Sequence, residues 1–279
     1  MQMGFVKMHG CGNDYIFIDC FEHTVNSPES LSVHLSDRHF GVGGDGIVLI
    51  GPSKKADASM RMFNLDGSEG RMCGNAIRCA GKYLHDIRGI PKQILLIETL
   101  SGIKELHLTT KDNRVIRAAV DMGPAEFHPK RIPSHFEGET VINRPLSAGG
   151  SEYTVTCVSM GNPHCVVFCE DIDSLNLEEI GPAFETHPMF PERINTEFVK
   201  IFDSRTLKVR VWERGSGETL SCGTGACASV AAAVKNGFCS ENEEIRVILR
   251  GGELTVTYTD QTVWMTGNAE LTFEGSAEI

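Results

Sequence analysis

The sequence predicts an α/β (α+β) protein built from two homologous domains by internal duplication, each a curled mixed β-sheet around a central helix. Three observations predict it. The motif around Cys73 recurs around Cys222, and the same separation, 149 residues, carries an N-terminal motif onto a second copy. Short apolar, often β-branched runs follow one another in the same order in both halves. Each half also holds one apolar helical stretch that opens at a Cys-Gly pair.

The repeat is read residue by residue. Arg61, Phe63, Glu69, Cys73 and Gly74 correspond to Arg210, Trp212, Glu218, Cys222 and Gly223. The same offset lays Gly12-Asn13 on Gly161-Asn162, Val6 on Val155, and Ile16-Phe17-Ile18 on Cys165-Val166-Val167. Single identities of this kind arise by chance, but one ungapped offset across two separate motif regions does not readily do so. Self-similarity at a fixed spacing marks a repeated structural unit. The join falls in the Pro- and Gly-containing stretch from Gly123 to Gly150.

Strands are expected at Phe5–Met8, Tyr15–Asp19, Ile47–Ile50, Ile94–Glu98 and Val115–Val120, with counterparts at Tyr153–Val158, Cys165–Phe168, Glu197–Ile201, Ile245–Leu249 and Thr262–Met265. Each is short and apolar. From Gly74, Ala76, Ile77, Ala80, Tyr83 and Leu84 recur at helical spacing until Gly89 and Pro91 stop the run. From Gly223, small and apolar residues cover nearly every face until Asn236-Gly237. A helix that is apolar all round must be buried.

Composition narrows the function. With 26 basic against 37 acidic residues the net charge is −11, which argues against a nucleic-acid groove. No apolar run reaches the ~18 residues of a membrane helix. The first residues lack the basic-then-apolar pattern of a signal peptide, so a cytoplasmic protein with mostly reduced thiols is expected. The ten cysteines include no Cys-x-x-Cys, which weakens zinc-ribbon and thioredoxin readings; no metal is expected. Asp45, in Gly43-Gly44-Asp45-Gly46, sits in a glycine-rich loop that lacks the lysine of a phosphate loop.

The chemistry concentrates at the two Cys-Gly pairs. A helix N-terminus presents free N–H groups and a partial positive charge, which lowers a thiol pKa and binds carboxylates. Repeat equivalence sets Cys73 and Cys222 apart from the other cysteines, for which burial as small apolar side chains is the ordinary expectation. Two facing domains would bring both thiols to one cleft. One thiolate could then remove a proton from one face of a carbon while one thiol returns a proton to the other. A dithiol redox protein and a binding module without chemistry are the competing readings. Asn13 pairs with Asn162 under the repeat, and Asn64 pairs with Glu213. Asn195, His164 and Arg214 lie in neighbouring motifs.

These motifs resemble the diaminopimelate epimerase family. The resemblance lies in MHGCGNDY at 8–15, DRHFGVGGDG at 37–46, FNLDGSEGRMCGNAIRC at 63–79, SMGNPHC at 159–165, ERIN at 192–195 and ERGSGETLSCGTGAC at 213–227. It implies a cofactor-independent isomerase that interconverts LL- and meso-2,6-diaminopimelate in lysine and peptidoglycan-precursor synthesis. Cys222 would take the α-proton of the LL form and Cys73 would donate to the opposite face. His164 would support Cys73, and Glu213 would support Cys222. Amides of Gly74, Asn75, Gly223 and Thr224 would hold the carboxylate at the reacting centre. Asn13, Asn64, Asn162, Asn195, Glu213 and Arg214 would hold the rest of a diamino dicarboxylate. Some family members carry Gln at the position of Gly46, so Gly46 is left out of the site. The resemblance also implies a homodimer with Phe273 at its interface. The C-terminal strand would return to the first domain, giving domains of 1–122 plus 268–279 and of 123–267.

Overall fold

A computed structural model describes residues 2–278. The chain divides into two compact units, Met1–Asp121 with Thr266–Ile279, and Met122–Met265.

In the first unit the elements are β1 (Gln2–Gly10), β2 (Asn13–Asp19), α1 (Pro28–Ser36), β3 (Gly46–Gly51), β4 (Ala58–Asn64), β5 (Glu69–Gly70), α2 (Gly74–Asp86), β6 (Ile94–Thr99), β7 (Gly102–Lys111) and β8 (Arg114–Asp121). β1 through β4 are neighbours in chain order, and β6, β7 and β8 continue the sheet from β4. The β2–β3 and β4–β6 pairs are parallel; the rest are antiparallel. Such parallel steps need a crossover, and α1 and α2 supply the two. α2 packs against β1, β2, β7 and β8, so the sheet bends around it, while α1 packs against β3 and β4. Every residue of β3, GIVLIG, is buried, which fits a strand covered on both faces.

The second unit repeats this plan. Its elements are β9 (Arg144–Ala148), β10 (Ser151–Ser159), β11 (Pro163–Phe168), α3 (Leu177–Glu185), β12 (Asn195–Asp203), β13 (Thr206–Glu213), β14 (Gly217–Glu218), α4 (Gly223–Lys235), β15 (Glu244–Leu249), β16 (Gly252–Tyr258) and β17 (Val263–Gly267). The strand order is β9-β10-β11-β12-β13-β15-β16, with the β11–β12 and β13–β15 steps parallel. β18 (Glu270–Glu278) pairs with β1 in the first unit, the place that β9 holds beside β10.

The duplication extends to register. Tyr15 faces Gly46 as His164 faces Asn195, and Phe63 faces Glu69 as Trp212 faces Glu218. Even an ion pair is repeated: Arg61 Nε lies 2.6 Å from Glu69 Oε1, and Arg210 Nε lies 2.8 Å from Glu218 Oε1.

One equivalence needs correction. Val6 faces Phe17, but Val166, the counterpart of Phe17, faces Thr156 rather than Val155. The β1–β2 hairpin closes at Gly10 and Asn13, whereas β10–β11 closes at Ser159 and Pro163 with one more loop residue. Pro163 has no N–H to give a ladder, so it suits the first position of a strand. The Met160 N–H bonds the Asn162 carbonyl across the wider turn at 3.1 Å.

Both central helices match their expected spans. α4 is buried along Gly225–Ala233 and packs against β10 through β13, β15 and β16. It ends where Gly237 takes φ +78°, with the Gly237 and Phe238 N–H groups bonding the Val234 and Ala233 carbonyls. The outer helices α1 and α3 were not expected. Their apolar surface is small, but Pro28 at the first turn of α1, and Glu178 and Glu179 in the first turn of α3, are ordinary start signals. α1 closes a core of Met3, Phe5, Ile16, Ile18, Leu35, Ile47, Leu49 and Phe63. α3 closes its counterpart around Leu177, Phe184, Phe198 and Trp212.

Candidate active site

Cys73 and Cys222 are the N-cap residues of α2 and α4, both with extended backbone, φ −127° and −118°. An α-helix leaves its first N–H groups without intrahelical partners; the Cys222 side chain caps one of them, and the Cys73 side chain caps none. The two sulfurs use this position differently. Cys222 Sγ accepts the Gly225 N–H at 3.3 Å and lies 3.5 Å from Thr224 Oγ1. Cys73 Sγ instead donates to Asn13 Oδ1 at 3.3 Å. Each sulfur also meets a further side chain, the Tyr15 phenol beside Cys73 and the Glu213 carboxylate beside Cys222.

Around Cys73, Asn13 is held by Asp45, whose Oδ2 accepts its Nδ2 at 2.7 Å. Asp45 also receives Arg38 at 3.1 Å and the Asp14 N–H at 3.1 Å. Arg38 and the buried Lys7 converge on Asp14, and Lys7 also bonds the Gly43 carbonyl. The glycine-rich loop thus uses its carboxylate to position Asn13. Burial and the Asp14 charge raise Asp45, opposed by bonds from Asp14 N–H, Asn13 and Arg38. Tyr15 belongs to the same cluster. Burial, then the neighbouring Cys73 and Asp45, push its phenol well above the usual value. Asn64 ends β4 beside Gly46 and donates to Ser68 Oγ at 3.0 Å.

Asn75, in the first turn of α2, is buried, and its Oδ1 accepts Arg78 Nη2 at 2.9 Å. Arg78 is fully buried and also donates to the Gly74 and Asn268 carbonyls. Gly10 makes this packing possible, since a Cβ there would lie 2.8 Å from Arg78 Nη2. Gly46 has no room for a side chain on this backbone: a Cβ would lie 2.0 Å from the Phe63 carbonyl oxygen.

Around Cys222, the Glu213 carboxylate accepts Thr219 Oγ1 at 2.6 Å and interacts with the Cys222 thiol. Burial raises Glu213, against the opposing bonds from Thr219 and Cys222 and the pull of His164. For Cys222 the expected lowering of the thiol is overturned. Burial, then the Glu213 and Glu197 charges, push it well above its usual value, outweighing the Thr224 and Gly225 bonds. Cys222 is only 6% exposed, so little water is at hand to stabilise a thiolate, and the two carboxylates repel one.

His164 lies in β11, fully buried, not in a loop. Its Nδ1 is 2.7 Å from Glu197 Oε1 and its Nε2 is 3.0 Å from Asn162 Oδ1. Asn162 Nδ2 donates to Thr224 Oγ1 at 3.2 Å. Asn195 is buried, its Nδ2 bonding the Pro163 carbonyl and its Oδ1 accepting the Arg214 N–H at 2.8 Å. Arg214 is exposed, with Nη1 on the Glu192 carbonyl at 2.8 Å. Glu185 Oε1 accepts the Gly215 N–H at 3.0 Å, and Oε2 accepts Trp212 Nε1 at 2.8 Å, which ties down the loop after Glu213.

The sequence reading did not single out Glu197, Arg78, Glu185 or Tyr15 as site residues. Glu197 and Arg78 carried a usable signal: each is a charged residue within an otherwise apolar strand or helix face. Phe273 is 44% exposed on β18 and packs edge-on against Phe5, with ring centroids 5.9 Å apart.

The duplicated mixed sheet around two central helices defines a fold class, and solved structures share it. A phenazine biosynthesis protein of the PhzF family from Bacillus anthracis matches with TM-score 0.74 at 19% identity, covering 100% of both chains. A hydroxyproline epimerase from Agrobacterium vitis, with bound trans-4-hydroxy-L-proline, matches with TM-score 0.69 at 14% identity, covering 99% of this chain and 92% of its own. The particular family follows from sequence. The model of the diaminopimelate epimerase family matches residues 5–128 and 156–272. The diaminopimelate epimerase of Acetivibrio thermocellus is 50% identical over 99% of both chains. That of Methanococcus maripaludis is 48% identical over 99% of this chain and 100% of its own. The chain belongs to the diaminopimelate epimerase family, and so to the isomerases.

Proposed function

We propose that this chain interconverts LL- and meso-2,6-diaminopimelate without a bound cofactor, with Cys222 and Cys73 acting on opposite faces of one α-carbon. The observation that carries this reading is the pair of repeat-equivalent thiols at the N-caps of α2 and α4. Membership of the family supports the substrate.

In the LL-to-meso direction the Cα–H bond breaks as Cys222 sulfur takes the proton. The electron pair stays on the substrate, spread into its carboxylate. The Cys73 S–H then gives its proton to the opposite face, leaving a thiolate. Because burial and two carboxylates raise Cys222, its active form depends on proton acceptance by Glu213, itself raised and in contact with the thiol. His164 is assigned to the support of Cys73, as the family resemblance implies. Amides of Gly74, Asn75, Gly223 and Thr224 hold the reacting carboxylate, where charge grows as the proton leaves. Arg214 takes the distal carboxylate as a two-toothed partner. Asn13, Asn64 and Asn162 fix the remaining polar groups, and Asn195 acts by placing Arg214. We also assign the domains as 1–122 with 268–279 and 123–267, a homodimer with Phe273 in its interface, and a cytoplasmic location.

The test is turnover of LL-diaminopimelate in deuterated water without added cofactor. Deuterium enters the α-carbon of product, and Cys73→Ala and Cys222→Ala each lose about 10²–10⁴ in rate with the fold retained. Wild-type turnover in both variants would end the two-thiol mechanism. Light scattering of the purified chain checks the dimer, with a monomer at micromolar concentration as the contrary result.

A further inference from the structure

We propose that Glu197 is a positioning residue for this reaction: it anchors His164, and through His164, Asn162 and Thr224 it fixes which hydrogen-bond donors point at the Cys222 sulfur. The inference rests on the function proposed above, but its geometry lies wholly within the second compact unit.

The side chains form one line. Glu197 Oε1 meets His164 Nδ1 at 2.7 Å, His164 Nε2 meets Asn162 Oδ1 at 3.0 Å, Asn162 Nδ2 meets Thr224 Oγ1 at 3.2 Å, and Thr224 Oγ1 meets Cys222 Sγ at 3.5 Å. The line has a direction. Asn162 offers its oxygen to His164, so Nε2 must carry a proton. Whichever partner of the Glu197–His164 contact holds the shared proton, Nε2 keeps its own. Asn162 then spends an N–H on the Thr224 oxygen, which leaves the Thr224 hydroxyl proton for the sulfur. Without Glu197 the imidazole loses the partner that holds Nδ1 and is free to turn, so the Asn162 amide and the Thr224 hydroxyl lose their fixed direction toward Cys222.

Glu197 is itself an expensive residue. It is fully buried in β12, and its Oε2 has no hydrogen-bond partner. An unsatisfied buried acceptor is destabilising. Two features make the carboxylate tolerable. His164 bonds one oxygen, and the first turn of α4 approaches closely enough that a Cβ on Gly225 would lie 2.5 Å from that oxygen. The positive end of a helix favours an anion there. An apolar side chain of similar size would spare the unpaired oxygen but would leave the buried His164 Nδ1 without its partner, so the carboxylate is kept for the imidazole rather than for packing.

The experiment compares Glu197→Leu with Glu197→Gln, whose amide can still donate to Nδ1. The Leu variant is expected to lower the melting temperature, because His164 Nδ1 is left buried without its partner, and to lose at least tenfold in kcat, with KM within about threefold. The Gln variant should recover to within about threefold of wild-type kcat. Nitrogen-15 NMR of the imidazole supplies a readout independent of turnover: the His164 Nε2–H gives a sharp, slowly exchanging signal in the wild type and in the Glu197→Gln variant, and a broadened, fast-exchanging one in the Leu variant. Wild-type kcat in the Leu variant, or a Gln variant as impaired as Leu while folded, overturns the proposal. So does a wild-type His164 with no proton on Nε2, a result that stands even if the chain turns over no diaminopimelate or the Leu variant fails to fold.

Discussion

Gly225→Ala separates local from tertiary energetics. Taken alone, alanine near the start of α4 should stabilise the helix by up to about 1 kcal/mol. The surroundings reverse the sign. The new methyl would lie 2.5 Å from Glu197 Oε1 and 3.2 Å from Cys222 Cβ. To restore an ordinary contact the carboxylate must retreat by about 0.9 Å. Retreat along the line to His164 is blocked, since that bond is already 2.7 Å. Retreat away from it breaks the bond, at about 1.5–3 kcal/mol for a charged partner. The helix cannot yield instead, because α4 is buried from Gly225 to Ala233. Adding overpacking of about 1–3 kcal/mol gives a net loss of about 2–5 kcal/mol. For a unit of this size that lowers the melting midpoint by about 5–15 °C. Scanning calorimetry measures it, and steady-state assay should show kcat falling at least tenfold, because the Gly225 N–H also serves the Cys222 sulfur. A melting midpoint at or above wild type with unchanged kcat would refute the claim that Glu197 and Cys222 are pinned against the first turn of α4.

Three further outcomes follow from the same geometry. Asp45→Ala frees the Asn13 amide that meets Cys73; kcat should drop about tenfold, the size of a weakened hydrogen bond, and the alkylation rate of Cys73 should change while Cys222 is unaffected. Arg214→Lys keeps the charge but loses the planar fork, so KM for diaminopimelate should rise about tenfold with kcat little changed, as steady-state kinetics will show. For Glu185, burial works to raise the carboxylate, but bonds from Trp212, Gly215 and Arg193 outweigh it and hold it below its usual value. A depressed folded value contributes stability above the unfolded carboxylate range that is lost as pH falls through the folded value, so stability should decline below about pH 4. Urea midpoints against pH should show a shallower acid limb in Glu185→Gln, and an identical limb would contradict this.

The elements legible beforehand were those with strong local signals. α4 declares itself because GTGACASVAAAVK offers no polar face, and α2 because its apolar residues recur at helical spacing and stop at Gly89. α1 and α3 were silent, since nine-residue helices covering one sheet face need few apolar residues. The duplication was readable as an offset, but the extra residue in the β10–β11 turn was not, because a register shift leaves composition unchanged. Cys73 and Cys222 were recognisable from their glycines and helix starts. What the amide groups do around them was not.

By itself the sequence determined the twofold plan, the two central helices and the residue types at their N-termini, because periodicity and helix-start chemistry are local properties. Only the tertiary structure decided that Cys222 is raised rather than lowered, that Asp45 serves Asn13, and that Glu197 stands behind His164. Desolvation and hydrogen-bond direction depend on which distant strands a fold lays beside a helix end, and that information has no local spacing from which to read it.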